Sequence, residues 1–322
     1  MQIRTGLVVF FVLLFATVAV HSQTTTKKKT TATKVAAAAK ARADSIAAAA
    51  KADSLKRIAQ QKALADSISR ADSLAKAIED SLKMFKWRTV ENTAFAVGER
   101  LVFDVSYGPI TAGEAVMAIP RYETIAGRTC YRVEFTVKSL KSFDWIYEVR
   151  DQYLTFVDSQ AIAPLRFEQH IREGTYRRDF TADFDQVRNI ARTSEGDHPI
   201  PEYVHDIMSA FYYARTLEYS GMKPGDYVTL YNFYKDTSHE LRVKFLGRQE
   251  LEVAAGTFKT IVVEPLVKEG GLFKSEGRIV IWLSDDERKI PVRVNTKVVI
   301  GSIDVELKQY SGLAGPLRSR IK

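Results

Sequence analysis

Ser209 lies three residues after Asp206 in the stretch "DIMSAFYYAR", and a serine beside a carboxylate could serve nucleophilic catalysis. Serine hydrolases of the elbow type present the nucleophile in a Gly-x-Ser-x-Gly turn between a strand and a helix. Ser209 has no glycine two residues away on either side. An aspartate just before an apolar-periodic stretch is instead typical of a helix N-cap. We therefore interpret Asp206 as a cap and assign no catalytic residue.

The sequence also lacks a metal-binding or phosphate-binding motif. His198 and His205 flank "PIPEYV", but no further ligand follows at a zinc-site spacing. The acidic run 285–287 in "LSDDERKIP" lacks the spaced oxygen ligands and the glycine of a calcium loop, so we interpret it as a solvated turn. No glycine-rich phosphate loop is present. We assign no metal and no cofactor, and we expect the protein not to be an enzyme.

Aromatic density is the strongest remaining signal for a binding site. It is concentrated in "SAFYYA", "TLYNFYK", "FDWIYEV" and "VIWLS", and the strand-like "GRIVIWL" is apolar on both faces. One face of such a strand must pack the core, and the other either contacts a helix or lines a pocket for an apolar ligand. Ordinary core packing is the alternative. The pocket hypothesis names five candidate ligand-binding residues: Phe211, Tyr212, Tyr231, Phe233 and Trp282.

From about Trp87 onward the chain alternates apolar and polar residues with a period of two. "YRVEFTVK" places Tyr131, Val133, Phe135 and Val137 on one face. This pattern predicts half-buried antiparallel strands separated by glycine-bearing turns. We predict a mainly β domain over residues 87–312. It would be one large curved antiparallel sheet, or an open barrel or sandwich, followed by a flexible tail at 313–322.

One helix interrupts the predicted strands, at residues 206–218. Its stripe of Ile207, Ala210, Phe211, Ala214 and Leu217 recurs at helical spacing, and Gly221 and Pro224 favour a stop soon after. A helix with one apolar face must bury that face. We therefore expect this single helix to pack on the concave side of the sheet, with Phe211 mostly buried.

The N-terminal region predicts export. Arg4 precedes 14 largely apolar residues, 7–20, and Val20-His21-Ser22 resembles a cleavage site. The run suits a signal peptide at 1–22 and is short for a membrane span; the alternative is an uncleaved anchor. We expect a periplasmic location. The single cysteine, Cys130, cannot form an internal disulfide, so we interpret it as a buried core residue.

Residues 23–86 form a low-complexity segment rich in alanine and lysine, in which Ala-Asp-Ser recurs four times. We predict a stalk that changes from disordered to helical along its length. A solvated spacer, a weak coiled coil, and a basic stalk that contacts a membrane or an anionic envelope polymer are the alternatives.

The net charge of +8 belongs to this stalk. Residues 23–86 hold 14 Lys/Arg and six Asp/Glu, whereas residues 87–322 hold 32 and 33. A nucleic-acid-binding domain needs a basic face of its own, so nucleic acid is not an expected partner.

Several segments together resemble the exported bacterial family DUF3108. They are "FAVGERL", "DIMSAFYYARTL", "KPGD", "VAAGTFKT" and "IVIWLSDDERKIPVRV", in that order. Family members often have proline after the helix-starting aspartate, where this chain has Ile207. The resemblance implies an exported, mostly β protein and brings no functional residue. We expect a protein that binds or carries an apolar or amphipathic envelope ligand, such as a lipid; the alternative is a structural or assembly scaffold.

Overall fold

The computed structural model describes residues 32–267, 278–297 and 301–322. The predicted signal peptide and residues 23–31 of the predicted stalk lie outside this part. The chain divides into two units between Ala77 and Ile78. Among the described residues there are two helices and 14 strands: α1 (Ala32–Met84), β1 (Arg100–Tyr107), β2 (Ile110–Ile125), β3 (Arg128–Ser139), β4 (Arg150–Asp158), β5 (Pro164–Glu173), β6 (Tyr176–Asp185), β7 (Ile190–Thr193), β8 (Gly196–Pro199), α2 (Ile207–Thr216), β9 (Tyr227–Tyr234), β10 (Thr237–Val253), β11 (Gly256–Val267), β12 (Ile279–Ser284), β13 (Pro291–Lys297) and β14 (Ser302–Ser311).

The predicted N-terminal helix is present as α1, whose side chains from residue 39 to residue 77 are all exposed. Alanine, lysine and arginine favour the helix, and no proline or glycine interrupts it. Among the described residues, neither helix combines the length and the hydropathy that a transmembrane helix needs.

All 14 strands form a single antiparallel sheet, in the order β8-β7-β6-β5-β4-β3-β2-β1-β14-β13-β12-β11-β10-β9. The prediction of a mainly β domain with one large antiparallel sheet is confirmed. The period-two pattern of β3 is visible at Val133, which is buried between the less buried Arg132 and Glu134. A sheet of this width must curl so that its inner face is covered.

The curled sheet brings its two edge strands together. The ring of His198 on β8 lies 5.8 Å from that of Phe233 on β9, and Phe184 on β6 also lies 5.8 Å from Phe233. The connection between the edges is made by His205, whose backbone donates to the Tyr231 carbonyl at 2.8 Å and accepts from Phe233 at 2.8 Å. The sheet therefore curls like a barrel, and one residue of the β8–α2 connection bridges its edges.

The helix α2 ends two residues before the predicted limit. Leu217 is already extended, at φ −73° and ψ 151°. Tyr219 is fully buried, and its hydroxyl donates to the carbonyl of Ala214 in the last turn at 3.0 Å. Tyr219 thus satisfies a carbonyl of the last helical turn, and α2 stops before Gly221 and Pro224 are reached.

Residues 313–322 were predicted to be a flexible tail, and the structure corrects this prediction. Ile321 donates to the Thr257 carbonyl at 2.8 Å, Thr257 donates to the Lys322 carbonyl at 3.1 Å, and Lys259 donates to the Ser319 carbonyl at 2.9 Å. The final residues thus pair with the start of β11, where the backbone would otherwise lack partners.

Candidate ligand-binding site

The N-terminal end of α2 is fixed by Asp206, the predicted cap. Its carboxylate accepts from the backbone of Met208 at 2.8 Å and of Ser209 at 2.9 Å, as an N-cap does. It also accepts from the hydroxyl of Thr155 on β4 at 2.7 Å. Burial raises the pKa of Asp206, although these hydrogen bonds act in the opposite direction. The start of the helix is therefore bonded to the sheet as well as capped.

The C-terminal end of α2 is fixed by a buried ion pair. Arg215 donates from Nη1 and Nη2 to the two carboxylate oxygens of Glu99, each at 2.7 Å, and both side chains are fully buried. Arg215 also donates to the carbonyls of Arg288 at 3.1 Å and Ala94 at 3.3 Å. The ion pair with Glu99 raises the pKa of Arg215 against the effect of burial. One arginine thus joins three segments distant in sequence.

The helix α2 is anchored at both ends, and one of its faces borders a cavity. The stripe consists of Ile207, Ala210, Phe211 and Ala214, spaced as neighbours on a helix face. Phe211 packs against both of the larger core clusters, one centred on β1–β3 and one on β10–β12. Phe211 is mostly buried, as expected, although part of its ring borders the cavity.

The cavity has a volume of about 260 Å³ and lies wholly within the second unit. Its strand walls come from both halves of the sheet: Phe103, Met117 and Phe135 on β1–β3, Leu241 and Val243 on β10, Val263 and Pro265 on β11, Ile279, Ile281 and Leu283 on β12, Pro291, Val294 and Thr296 on β13, and Val305 on β14. Met208 completes the helix wall.

The residues that line the cavity can make almost only apolar contacts with a ligand. Among the lining residues only Thr296 has a polar side chain. The buried charged groups Glu99, Asp206 and Arg215 do not line the cavity, and their hydrogen bonds are made within the fold. Such a site can bind a hydrocarbon group, but it has no charged group with which to bind a headgroup or activate a substrate.

The five candidate residues predicted from the sequence do not form one site. Phe211 lines the cavity, whereas Tyr212 beside it is fully buried in the core against Phe95, with ring centroids 4.9 Å apart. Phe233 is buried between the edge strands, and Tyr231 is exposed. Trp282 lies on the opposite face of β12 from Ile281, since successive strand residues alternate in direction.

The sequence analysis missed most of the cavity wall. The wall includes Ile281, Val294 and Val263. In the sequence, each of them looks like an ordinary β-branched strand residue. The only signal was that "GRIVIWL" is apolar on both faces.

Trp282 lines a different depression, a groove of about 380 Å³ on the other face of β10–β13. Its arginines already have acidic partners: Arg278 contacts Glu264 at 2.6 Å, and Arg248 contacts Asp285 at 3.0 Å. Because both arginines are already paired with carboxylates, the groove is a weaker candidate for a ligand-binding site than the cavity.

A second buried cluster surrounds His205 near the start of α2. The Arg88 guanidinium lies 4.2 Å from the Tyr203 ring and 4.6 Å from the Tyr213 ring, and its Nη2 is 3.4 Å from His205 Nε2. Because arginine can only donate, Nε2 accepts and the imidazole is neutral. Burial and the Arg88 charge lower the pKa of His205 to about 3. We interpret this cluster as a support for the helix start.

The remaining polar candidates have structural partners. Asp286 accepts from the backbone of Arg288 at 3.0 Å and of Ser319 at 2.9 Å, and thus organises the turn between β12 and β13. Cys130 is fully buried, and burial is the main cause that raises its pKa to about 12. Within the described ranges, no group of His, Cys, Asp or Glu residues could hold a metal ion.

The sequence matches the family model described as "Protein of unknown function (DUF3108)" over residues 102–308. The chain belongs to the DUF3108 family. This matches the family that the sequence motifs resemble, and it covers every strand from β2 to β13 and the whole of α2. The comparison with curated proteins gave no match.

Solved structures similar to this DUF3108 chain share little sequence with it. A β-barrel-like protein of the DUF1849 family from Brucella abortus is 12% identical, with 70% of this chain and 99% of that chain covered and a TM-score of 0.44. A protein from Bacteroides fragilis, described as exported and with a YmcC-like fold, is 13% identical, with coverage of 70% and 100% and a TM-score of 0.28. A protein from Parabacteroides distasonis, described as a lipoprotein, is 10% identical, with coverage of 70% and 100% and a TM-score of 0.28.

Proposed function

We propose that this protein is an exported, non-enzymatic envelope protein whose β domain binds one hydrocarbon chain of an amphipathic ligand. The observation that carries the proposal is the cavity beneath α2, in which Thr296 is the only lining residue with a polar side chain. The apolar run at residues 7–20 supports export.

The size of the cavity limits the ligand. Its volume of about 260 Å³ is below the ~300–1,000 Å³ typical of sites for drug-sized ligands. It exceeds the ~150 Å³ of an apolar cavity that admits benzene. The space therefore suits one acyl or isoprenoid chain rather than both chains of a phospholipid. The polar end of such a ligand would lie outside the cavity, because the wall offers it no charged partner.

The experiment combines extraction with probe binding. Organic extracts of the purified protein would be analysed by mass spectrometry, and binding of a fluorescent fatty acid would be measured by titration. Ile281→Asn introduces an amide into the cavity wall, and we expect it to weaken probe binding at least tenfold. Trp282→Asn is the matched control, since this half-buried neighbour lies on the other face of the same strand; it should bind the probe like the wild type.

A chain whose extracts contain no lipid and whose probe affinity is equal in both variants would contradict ligand binding. If the protein also copurified with a stable protein partner, a scaffold function would replace the proposed ligand-binding function. Export is tested separately by cell fractionation and by mass spectrometry of the N-terminus, which we expect to begin near Gln23. An intact Met1 in the inner membrane would instead identify the run at 7–20 as an anchor.

A further inference from the structure

Large apolar side chains are exposed at one end of the sheet, on the tips of three connections. We call them the apolar rim: Tyr107, Ile110, Leu140, Trp145, Ile146, Tyr147 and Tyr176. Trp145 is 82% exposed, Ile146 60% and Tyr147 52%. Single exposed apolar residues are common on soluble proteins, but a contiguous exposed group marks an interaction surface.

The three tips are neighbours, since they connect consecutive hairpins of one antiparallel sheet. The β3–β4 connection is bonded to β2 through the Leu140 backbone, which donates to the Ala112 carbonyl at 2.8 Å. It is bonded to the β5–β6 turn through Gly174, whose backbone donates to the Glu148 carbonyl at 2.7 Å. A Cβ on Gly174 would be 3.0 Å from the Tyr147 ring, so the glycine lets this ring lie across the turn. The rim is therefore one surface.

Basic side chains accompany the rim. Segments 107–113, 138–150 and 172–178 together hold six Lys/Arg and three Asp/Glu. Lys138, Lys141 and Arg177 are exposed, and none of them has an ion-pair partner in the described part of the chain. By contrast, Asp144 is bound by Arg150 at 2.6 Å. Glu173 also has no ion pair among the described residues, but the balance of six basic to three acidic residues leaves the net charge of these segments positive.

We infer that the apolar rim is a docking surface for a phospholipid bilayer that contains anionic lipid. Tryptophan and tyrosine suit the membrane interface because each has an apolar ring and a polar group that stays near water. Exposed lysine and arginine beside them attract anionic headgroups, each by an amount equivalent to roughly fivefold in binding. This surface is distinct from the basic α1 and does not depend on the cavity containing a ligand.

The register of the sheet places the rim beside one end of the cavity. Tyr107 is paired with Ile303, Ile303 with Thr296, and Thr296 with Ile279. Ile279 and Thr296 line the cavity, so this row of the sheet carries both the cavity wall and a rim residue. Docking through the rim would bring this end of the cavity close to the bilayer.

The test uses the full chain with vesicles of phosphatidylcholine and phosphatidylglycerol, including lipids brominated in their acyl chains. We expect tryptophan emission to shift to the blue and to be quenched by the brominated lipid. Trp145→Phe should remove most of this quenching while binding persists, because Trp87 and Trp282 lie elsewhere. Trp145→Ser should weaken binding roughly tenfold, as expected for loss of one large buried apolar side chain.

Two controls separate the rim from other surfaces. Tyr122→Ser alters a residue that is 50% exposed near the β2–β3 turn, at the opposite end of the sheet, and should leave binding unchanged. Lys138→Gln with Lys141→Gln should weaken binding more than Lys51→Gln with Lys62→Gln on α1, and the difference should diminish in high salt. The proposal is overturned if Trp145→Ser binds vesicles like the wild type, or if only the α1 pair affects binding. It is equally overturned if Trp145→Ser changes self-association without changing vesicle binding.

Discussion

Arg215 and Glu99 form a two-point ion pair, with both oxygen–nitrogen distances at 2.7 Å and neither side chain in contact with solvent. The two residues are 116 positions apart. They come from the two segments, around "VGERL" and "YYARTL", on which the family resemblance partly rests. The pair holds the last turn of α2 at the entry to β1 and so fixes the wall of the cavity.

Removing one partner of the Arg215–Glu99 pair should strongly destabilise the folded protein. Arg215→Met leaves the Glu99 carboxylate buried without a counter-charge, which typically destabilises a protein by about 3–5 kcal/mol. The double variant Glu99→Leu, Arg215→Met should lose less than the sum of the two single variants, because neither charge is then left alone. Urea unfolding of all four proteins measures the coupling. Strictly additive effects would mean that the pair contributes no specific interaction.

Asp206 should contribute more to the free energy of unfolding than an N-cap at the protein surface does. Asp206→Ala removes the acceptor of two backbone N–H groups and leaves the buried Thr155 hydroxyl with only the Arg166 carbonyl, 3.4 Å away, as an acceptor. A cap alone is worth about 1 kcal/mol, and a poorly satisfied buried polar group costs up to about 1–3 kcal/mol more. We expect a loss of at least about 2 kcal/mol in the free energy of unfolding. Asp206→Asn keeps an acceptor for the cap and should lose less; an equal loss in both variants would show that the charge is essential.

Phe211 and Phe245 offer a comparison between a cavity wall and a closed core. Phe245 is fully buried, whereas the ring of Phe211 borders the cavity. Phe245→Ala should therefore cost about 3–5 kcal/mol, as buried phenylalanines do, and Phe211→Ala only about 2 kcal/mol. Thermal and urea unfolding check the order. A larger loss for Phe211→Ala would mean that the cavity is closed by packing in solution.

The structural features that depend on local sequence patterns could be predicted from the sequence. The period-two strands, the helix stripe and the Asp206 cap depend on residues within a few positions of each other, and the structure contains all three. The burial of Arg215 could not be predicted, because an arginine near a helix end normally interacts with solvent. Residues 319–322 were also misjudged, since their partners at Thr257 and Lys259 are distant in sequence.

The cavity shows the same limit. The stripe that contains Phe211 was visible in the sequence, but the opposite wall comes from eight strands whose register depends on the closure of the whole sheet. Tyr231 and Phe233 have the same residue class and the same strand parity, yet only Phe233 is covered, because His198 on the opposite edge strand and Phe184 on β6 contact it. Aromatic density alone therefore could not select the lining residues.

His205 should make stability depend on pH in weakly acidic solution. The folded-state pKa of about 3 is depressed from an ordinary value near 6.5. Between these values the unfolded chain binds a proton that the folded chain does not, so stability falls as pH decreases through this window. The contribution is about 1.4 kcal/mol per pH unit. Burial raises the pKa of Asp206, which acts in the opposite direction and is common to both proteins compared below.

The measurement is a difference between two pH profiles. Unfolding free energies of the wild type and of His205→Asn would be determined by urea denaturation at several pH values between about 4 and 7. The wild type should lose stability more steeply as pH falls, because the asparagine has no proton to bind. Parallel profiles would show that His205 can be protonated in the folded state, and thus that Arg88 moves away from it or that water reaches the cluster.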